Sequence, residues 1–580
     1  MKKASIIILA MAITASCVKK EPKGNFETFK SNFIEALWKV YPEWANSQGY
    51  HKYDSILVVP NQQQRDKELA FCKSYMDTLK GFDLKALSQN DQIDYHLIEN
   101  QLESLQWNVT DFKAYEWNPA GYNVGEGFAL LLSEKYAPLE DRLHSYKAKL
   151  NNVVAYYKAA EQNISKPTIV HTDLAIEQNK GSLEIFGSML SDALKQSKLS
   201  DAEKIEIQVK AKYATDAINQ YVTWLQTEVR TKLNEQTGTA RSFRIGKTLY
   251  DKKFEFDIQS GYTPETIYAK ALKRKDELHG EMAKLATQLW PKYFNSQTMP
   301  TDQKQLIKKV LDTISTMHVS RDGFQAAVEK QLPELIAFIN KKDLLYIDPK
   351  KPLVVRQTPN YQAGVSVASI NAPGPYDKTA NTYYNVGSLK DFTPEKAESF
   401  LREYNKYTMQ IINIHEAIPG HYTQLVYSNQ SPSLIKSLFG NGAMVEGWAV
   451  YCERMMLEEG YGENSPELWL MYYKWHLRSV CNTILDYGLQ VKNLSEKDAM
   501  DLLVNEGFQQ QAEATGKMRR ASLSQVQLCS YFTGYSEIYD LREELKKKEG
   551  DKFNLKAFHE KFLSYGSAPV KYIREMMIGK

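Results

Sequence analysis

The feature that most constrains this chain is a succession of long runs in which apolar residues return every three or four positions. Residues 88–105, 139–162, 202–233 and 264–289 are rich in Ala, Leu, Glu, Lys and Gln, which give up little conformational freedom in a helix, and the spacing collects their apolar side chains on one face. Helix starts are written beside such runs. Thr263-Pro264-Glu265, Thr393-Pro394-Glu395 and Ser495-Glu496-Lys497-Asp498 each offer a hydroxyl to cap the first turn, with proline or acids inside it. The expected fold class is mainly α. One region differs: Leu353-Val354-Val355, Gly364 to Ile370 and Thr382 to Val386 have strand character, with the turn residues Ala372-Pro373-Gly374-Pro375 between the last two.

With 580 residues, 43% of them hydrophobic, the chain can bury a sizeable core and by length holds roughly two to four lobes of domain size. Its 73 basic and 70 acidic residues leave a formal charge of +3, which supplies no electrostatic reason to expect nucleic acid as a partner. The 36 tyrosines suit the walls of a peptide or sugar groove, and equally the packing between helices. No internal repeat and no strong internal linker is visible.

The chemistry is concentrated at His415-Glu416-Ala417-Ile418-Pro419-Gly420-His421. Two imidazoles can hold a metal while the carboxylate beside the first works on a water, which is the logic of zinc hydrolases. The spacing is unusual. Six residues of regular helix turn about 600°, leaving His421 roughly 240° around from His415, so an unbroken helix cannot aim both at one ion. Pro419 lacks the amide hydrogen that the carbonyl of His415 needs, and Gly420 relaxes the backbone beside it. A two-residue bulge in one helix is therefore expected at Pro-Gly. A second helix-compatible stretch follows at Ala443 to Met456, with Glu446 and Glu453 seven apart on one face. Glu446 is the expected third ligand, which leaves a fourth position for water. Glu453 is read either as the acceptor that orients a ligand imidazole or as part of a solvated face.

These residues carry a resemblance. His415, Glu416, Pro419, Gly420 and His421, followed by Glu446, Gly447, Trp448, Ala449, Tyr451 and Glu453, match the pattern His-Glu-x-x-Pro-Gly-His and Glu-Gly-Trp-Ala-x-Tyr-x-Glu of the bacterial domain-of-unknown-function family 885, which is grouped with helical zinc metallopeptidases related to oligopeptidases and angiotensin-converting enzyme. The likeness extends to Tyr41-Pro42, to Gly49-Tyr50-His51-Lys52-Tyr53-Asp54, to Ile245-Gly246-Lys247-Thr248-Leu249-Tyr250 and to Gln527 through Gly534. It implies a large helical metallopeptidase-like fold with a central groove and a small β-sheet next to the metal helix. It also implies Zn2+ held by His415, His421 and Glu446, with Glu416 as general base and a donor to the oxyanion from Arg520 to Tyr531, Tyr531 being chosen. Two departures stand out. Gln490 replaces the His of Asp-x-Gly-Leu-His, and Gln525-Val526 replaces a Pro-Gly before Gln527, leaving the shape of that turn open.

The N-terminus reads as an export signal. A positive start, Met1-Lys2-Lys3, precedes the short apolar run Ile6 to Ile13 and the small residues Ala15-Ser16 before Cys17, which resembles a lipobox with Thr14 where Leu is usual. The expected organisation is a signal at 1–16, a lipidated Cys17 and tether at 17–25, an N-terminal helical half at 26–340 and a catalytic half at 341–580. The protein is expected on the outer membrane, facing the periplasm or the cell surface, or otherwise in the periplasm, touching membrane only through the lipid at Cys17. The remaining cysteines, Cys72, Cys452, Cys481 and Cys529, are too scattered for a metal site and read as buried thiols. The expected activity is zinc-dependent hydrolysis of peptide bonds in a peptide substrate. A hydrolase of non-peptide amides or esters and a non-catalytic peptide- or glycan-binding lipoprotein are the alternatives. The strand region would offer an edge to the substrate main chain or simply close the groove.

Overall fold

The computed structural model describes residues 24–351, 353–358, 368–372, 374–376, 381–390, 392–431 and 433–579. The signal, Cys17 and most of the tether lie outside the described residues, as does the first part of the strand expected at Gly364 to Ile370. The fold is mainly helical with one small sheet. The elements used below are α1 (Phe26–Val40), α2 (Gln89–Trp107), α3 (Asp201–Trp224), α4 (Pro264–Phe294), β1 (Leu353–Gln357), β2 (Ala368–Asn371), β3 (Thr382–Val386), α5 (Lys406–Glu416), α6 (His421–Asn429), α7 (Gly442–Glu458), α8 (Pro466–Val491), α9 (Gln511–Leu523) and α10 (Ser530–Glu549).

The predicted helix starts are present. Thr263 and Thr266 form a reciprocal capping box with Pro264 at the first helical position, and Thr393 and Ser495 cap their helices through side-chain oxygens. The run 139–162 is two helices, Leu139–Leu150 and Val153–Asn163, because the chain turns at Asn151-Asn152. Two apolar cores result. One gathers α3 and its neighbours between residues 57 and 229, and the larger one draws side chains from both sides of residue 340, from Phe26 to Ile573. A buried ionic cluster bridges distant parts of the sequence: Lys30 on α1 and Lys436 both reach Asp94 on α2, at 2.9 and 2.6 Å.

The sheet has the order β1-β3-β2, with β1 parallel and β2 antiparallel to β3. Tyr384 on β3 is buried, and its hydroxyl donates to Asn413 Oδ1 on α5 at 2.8 Å, which fixes the sheet to the helix carrying His415. β2 is the edge strand beside α5. The turn after β2 is pinned to the first helical segment: Trp38 Nε1 donates to Tyr376 at 2.9 Å, and Tyr376 packs on Tyr50 at 4.9 Å between ring centres. The motif around Tyr50 is thereby accounted for. Its Asp54 collects Asn46, His51 and Tyr136, closing the joint between the two cores. Among the described residues no helix is long and apolar enough to cross a membrane. Cys72, Cys452, Cys481 and Cys529 are all buried thiols.

Candidate metal centre

The expected bulge in one continuous helix is replaced by a break between two. α5 ends at Glu416, Ala417 leaves helical geometry at φ −108°, ψ −89°, and α6 begins at His421. The loose carbonyls at the end of α5 are satisfied by the returning chain: Ala417 and Ile418 amides donate to Asn413 O at 3.0 and 3.1 Å, and the Gly420 amide donates to Ile414 O at 3.0 Å. Gly420 lies so close over the helix end that a Cβ would sit 1.9 Å from His415 O and 2.4 Å from Ile414 O. Only a residue without a side chain fits there. The physical error in the bulge expectation is that a full helix end and a new helix start redirect His421 more completely than two extra residues can.

α7 completes the site from the other side. Trp448 Nε1 donates to Pro419 O at 2.9 Å, so the motif tryptophan holds the break in place. Two residues earlier, Glu446 points between the imidazoles, with Oε2 at 3.7 Å from His415 Nε2 and 3.4 Å from His421 Nε2. The His415 and His421 rings stand nearly perpendicular, 4.7 Å apart. Glu453, fully buried, takes its orienting role: its Oε1 accepts from His415 Nδ1 at 2.7 Å and from Trp475 Nε1 on α8 at 3.1 Å. With the ring proton assigned to Nδ1 on this pairing, the lone pair of Nε2 faces Glu446. Trp475 escapes sequence reasoning because nothing in its local surroundings on α8 signals a contact with a residue 22 positions earlier.

These residues fit a zinc ion. One ligand atom from each of His415, His421 and Glu446 lies within 4.8 Å of the others. The 3.4 and 3.7 Å separations approximate the edges of a tetrahedron whose bonds are about 2.0–2.2 Å. Among the described residues Glu446 Oε2 is buried without a hydrogen-bond partner, a costly state for a carboxylate oxygen that a cation in the gap would relieve.

Electrostatics set the two imidazoles apart: burial works to lower His421, but the Glu446 carboxylate outweighs it and raises that ring above its ordinary range. Burial, reinforced by the neighbouring His421, pushes His415 down to about 4, so it is neutral and able to offer a lone pair. Burial works to raise Glu446, but His421 and His415 outweigh it and hold the carboxyl below its ordinary range. Burial raises Glu416, whose carboxylate makes no hydrogen bond among the described residues and lies within electrostatic reach of both imidazoles, Glu446 and Glu453. Tyr531 on α10 is also brought in, with its hydroxyl beside the Glu446 carboxylate and accepting from Arg520 Nη2 at 3.3 Å. α10 can approach because two glycines meet: a Cβ on Gly447 would lie 2.3 Å from Gly534 C, and one on Gly534 would lie 1.7 Å from Ala443 O.

The turn left open by sequence, before Gln527, is held from below. Val526 is fully buried at φ 71°, ψ −31°, a left-handed conformation that a β-branched residue rarely adopts. Gln490, standing where the family pattern has His, accepts from the Ile245 amide at 3.1 Å and donates to Ala521 O and Ser524 O at 3.2 and 3.3 Å. Asp486 lies against the backbone of Val526 and Cys529, and Tyr250 donates to it at 3.3 Å. Gln490 thus ties three segments together.

The comparisons agree with this architecture. A solved structure of a candidate lipoprotein of unknown function from Shewanella oneidensis is 55% identical, with a TM-score of 0.89, covering 96% of this chain and 100% of its own. A candidate lipoprotein from Colwellia psychrerythraea, 17% identical, shares the fold with a TM-score of 0.77 over 95% of this chain and 98% of its own. No curated protein matches. Residues 42–577 match the family described as bacterial proteins of unknown function, DUF885, and the chain belongs to that family.

Proposed function

We propose that this protein is an exported zinc-dependent hydrolase that cleaves peptide bonds, tethered through a lipid on Cys17 to the outer membrane. The observation that carries this reading is the convergence of His415 Nε2, His421 Nε2 and Glu446 Oε2, with, in electrostatic reach of them, a Glu416 carboxylate that makes no hydrogen bond among the described residues. A zinc ion bound there supplies Lewis acidity, lowering the pKa of water and polarising the scissile carbonyl. Glu416 removes the proton as the oxygen of water bonds to the carbonyl carbon, and delivers it to the amine nitrogen as the C–N bond breaks. Tyr531 donates its hydroxyl to the developing oxyanion. Glu453 fixes the ring of His415 throughout. The edge of β2, beside α5, can pair with the main chain of the substrate, which favours a peptide over another amide or an ester. A binding protein without chemistry gains nothing from a Glu416 carboxylate left without a hydrogen bond among the described residues next to the ligand set. The relatives described as lipoproteins support the anchored location.

Metal analysis of the purified protein should find close to one zinc per chain. Glu416→Gln should keep that zinc while turnover of a mixed peptide library, followed by mass spectrometry, falls by roughly 10²–10⁴-fold. Full zinc with turnover within about threefold of the parent would remove Glu416 from the proton transfer.

A further inference from the structure

The rim of the site beyond Tyr531 carries a positive group that the zinc chemistry does not use. Arg520, exposed on α9, donates from Nη2 to Gln527 Oε1 at 2.8 Å and to the Tyr531 hydroxyl at 3.3 Å. It takes part in no ion pair among the described residues, whereas its neighbour Arg519 pairs with Glu177 and the deeper Arg478 pairs with Glu513. One turn earlier on the same helix, Lys517 is only 5% exposed and makes no hydrogen bond or ion pair among the described residues, although Arg478 and Arg520 are close by. Burial first, and then Arg478 and Arg520, hold the Lys517 amine well below its ordinary range, so the charge at this rim is the guanidinium of Arg520, which neutral side chains aim and which is arranged to receive an anion.

Position identifies the anion. Tyr531 lies beside Glu446, and Arg520 stands one hydrogen bond further from the ligand set. In a peptide, three bonds of about 1.3–1.5 Å separate the scissile carbonyl carbon from the backbone carbon of the next residue, so the two lie within about 4 Å, and each additional residue adds about 3.3–3.6 Å. The group that falls on Arg520 when the carbonyl faces Tyr531 is the carboxylate of the residue immediately after the scissile bond. We infer that Arg520 and Gln527 form a subsite for the free C-terminal carboxylate of a peptide, so that the protein releases single C-terminal amino acids; this rests on the peptidase reading above. The reaction is simple hydrolysis. Water's oxygen bonds to the penultimate carbonyl carbon, the C–N bond breaks, and the proton passes to the nitrogen of the released amino acid.

The test uses the zinc-loaded full chain and two peptides of one sequence, one ending in a free carboxylate and the other in a carboxamide. The parent should cleave the acid about 10–100-fold faster than the amide, the range of a charge-assisted hydrogen bond, and mass spectrometry should show loss of one C-terminal residue. Arg520→Ala should bring the acid-to-amide ratio close to one while zinc stays bound, and Arg520→Lys should recover part of it. Equal rates on both peptides, or cleavage at internal bonds, would overturn this inference and leave the peptidase reading standing. An Arg520→Ala variant that slows both peptides alike would also overturn it, reducing Arg520 to a support for Tyr531. If the zinc-loaded parent cleaves neither peptide, the peptidase reading fails and this inference falls with it.

Discussion

Two breaks in helical structure flank the candidate metal, and they are built from opposite materials. The break between α5 and α6 uses Pro419 and Gly420, and its tightest point is a glycine whose missing Cβ lets the chain lie on the His415 carbonyl. The turn before α10 has no glycine, and Val526 is held at φ 71° with its side chain fully buried. Both deliver a side chain to the site, His421 in one case and Tyr531 in the other. The first closes on its own neighbouring backbone, with one hydrogen bond from Trp448 to Pro419 O added from α7. The second imposes a left-handed conformation costing roughly 1–3 kcal/mol on a β-branched residue, and it persists because Asp486, Gln490 and Tyr250 determine the path of the backbone from below.

The largest expected effect separates the two breaks at Gly420. A methyl there meets two backbone carbonyls that cannot rotate away, so Gly420→Ala should cost several kcal/mol and remove most of the zinc, read by metal analysis and thermal melting. A variant that keeps its zinc and melts like the parent would show that this break, too, is imposed by packing. An intermediate effect belongs to Asp486, which supports the other turn. Burial raises its carboxyl to about 7, against an ordinary value near 4 in the unfolded chain. The folded state therefore holds more protons between about pH 4 and 7, and its stability falls as pH rises through that window, by at most about 1.4 kcal/mol per unit. Denaturant titrations at pH 5 and 7 should show a shallower dependence in Asp486→Asn than in the parent; an unchanged slope would remove Asp486 from the account. The smallest effect is expected at Val526→Gly, where relief of the left-handed conformation offsets lost packing. Its stability should stay within about 1 kcal/mol of the parent, while Val450→Gly, equally buried but in regular helix on α7, should cost about 3 kcal/mol. Equal losses at the two sites would show that Val526 is not strained.

Sequence alone determined the helical class, the capped starts at Thr263, Thr393 and Ser495, and the candidates His415, His421 and Glu446, because each rests on spacing along one element or on residues whose chemistry has few other uses; Glu453 stayed open between an orienting acceptor and a solvated face until the structure placed it against His415 Nδ1. Sequence also located the strand region, though not that the order is β1-β3-β2 or that Tyr384 binds the sheet to α5 through Asn413. Periodicity could say that six-residue spacing needs distorted helix, but whether the distortion is a bulge or a full stop depends on which carbonyls find partners, and those partners come from the returning chain. Likewise Trp475, the contact of Gly447 with Gly534 and the seating of Arg520 against Tyr531 join helices far apart in sequence. Only the tertiary structure decided these, since a contact between distant segments is chosen by the packing of whole helices and leaves no mark on the few residues around either partner.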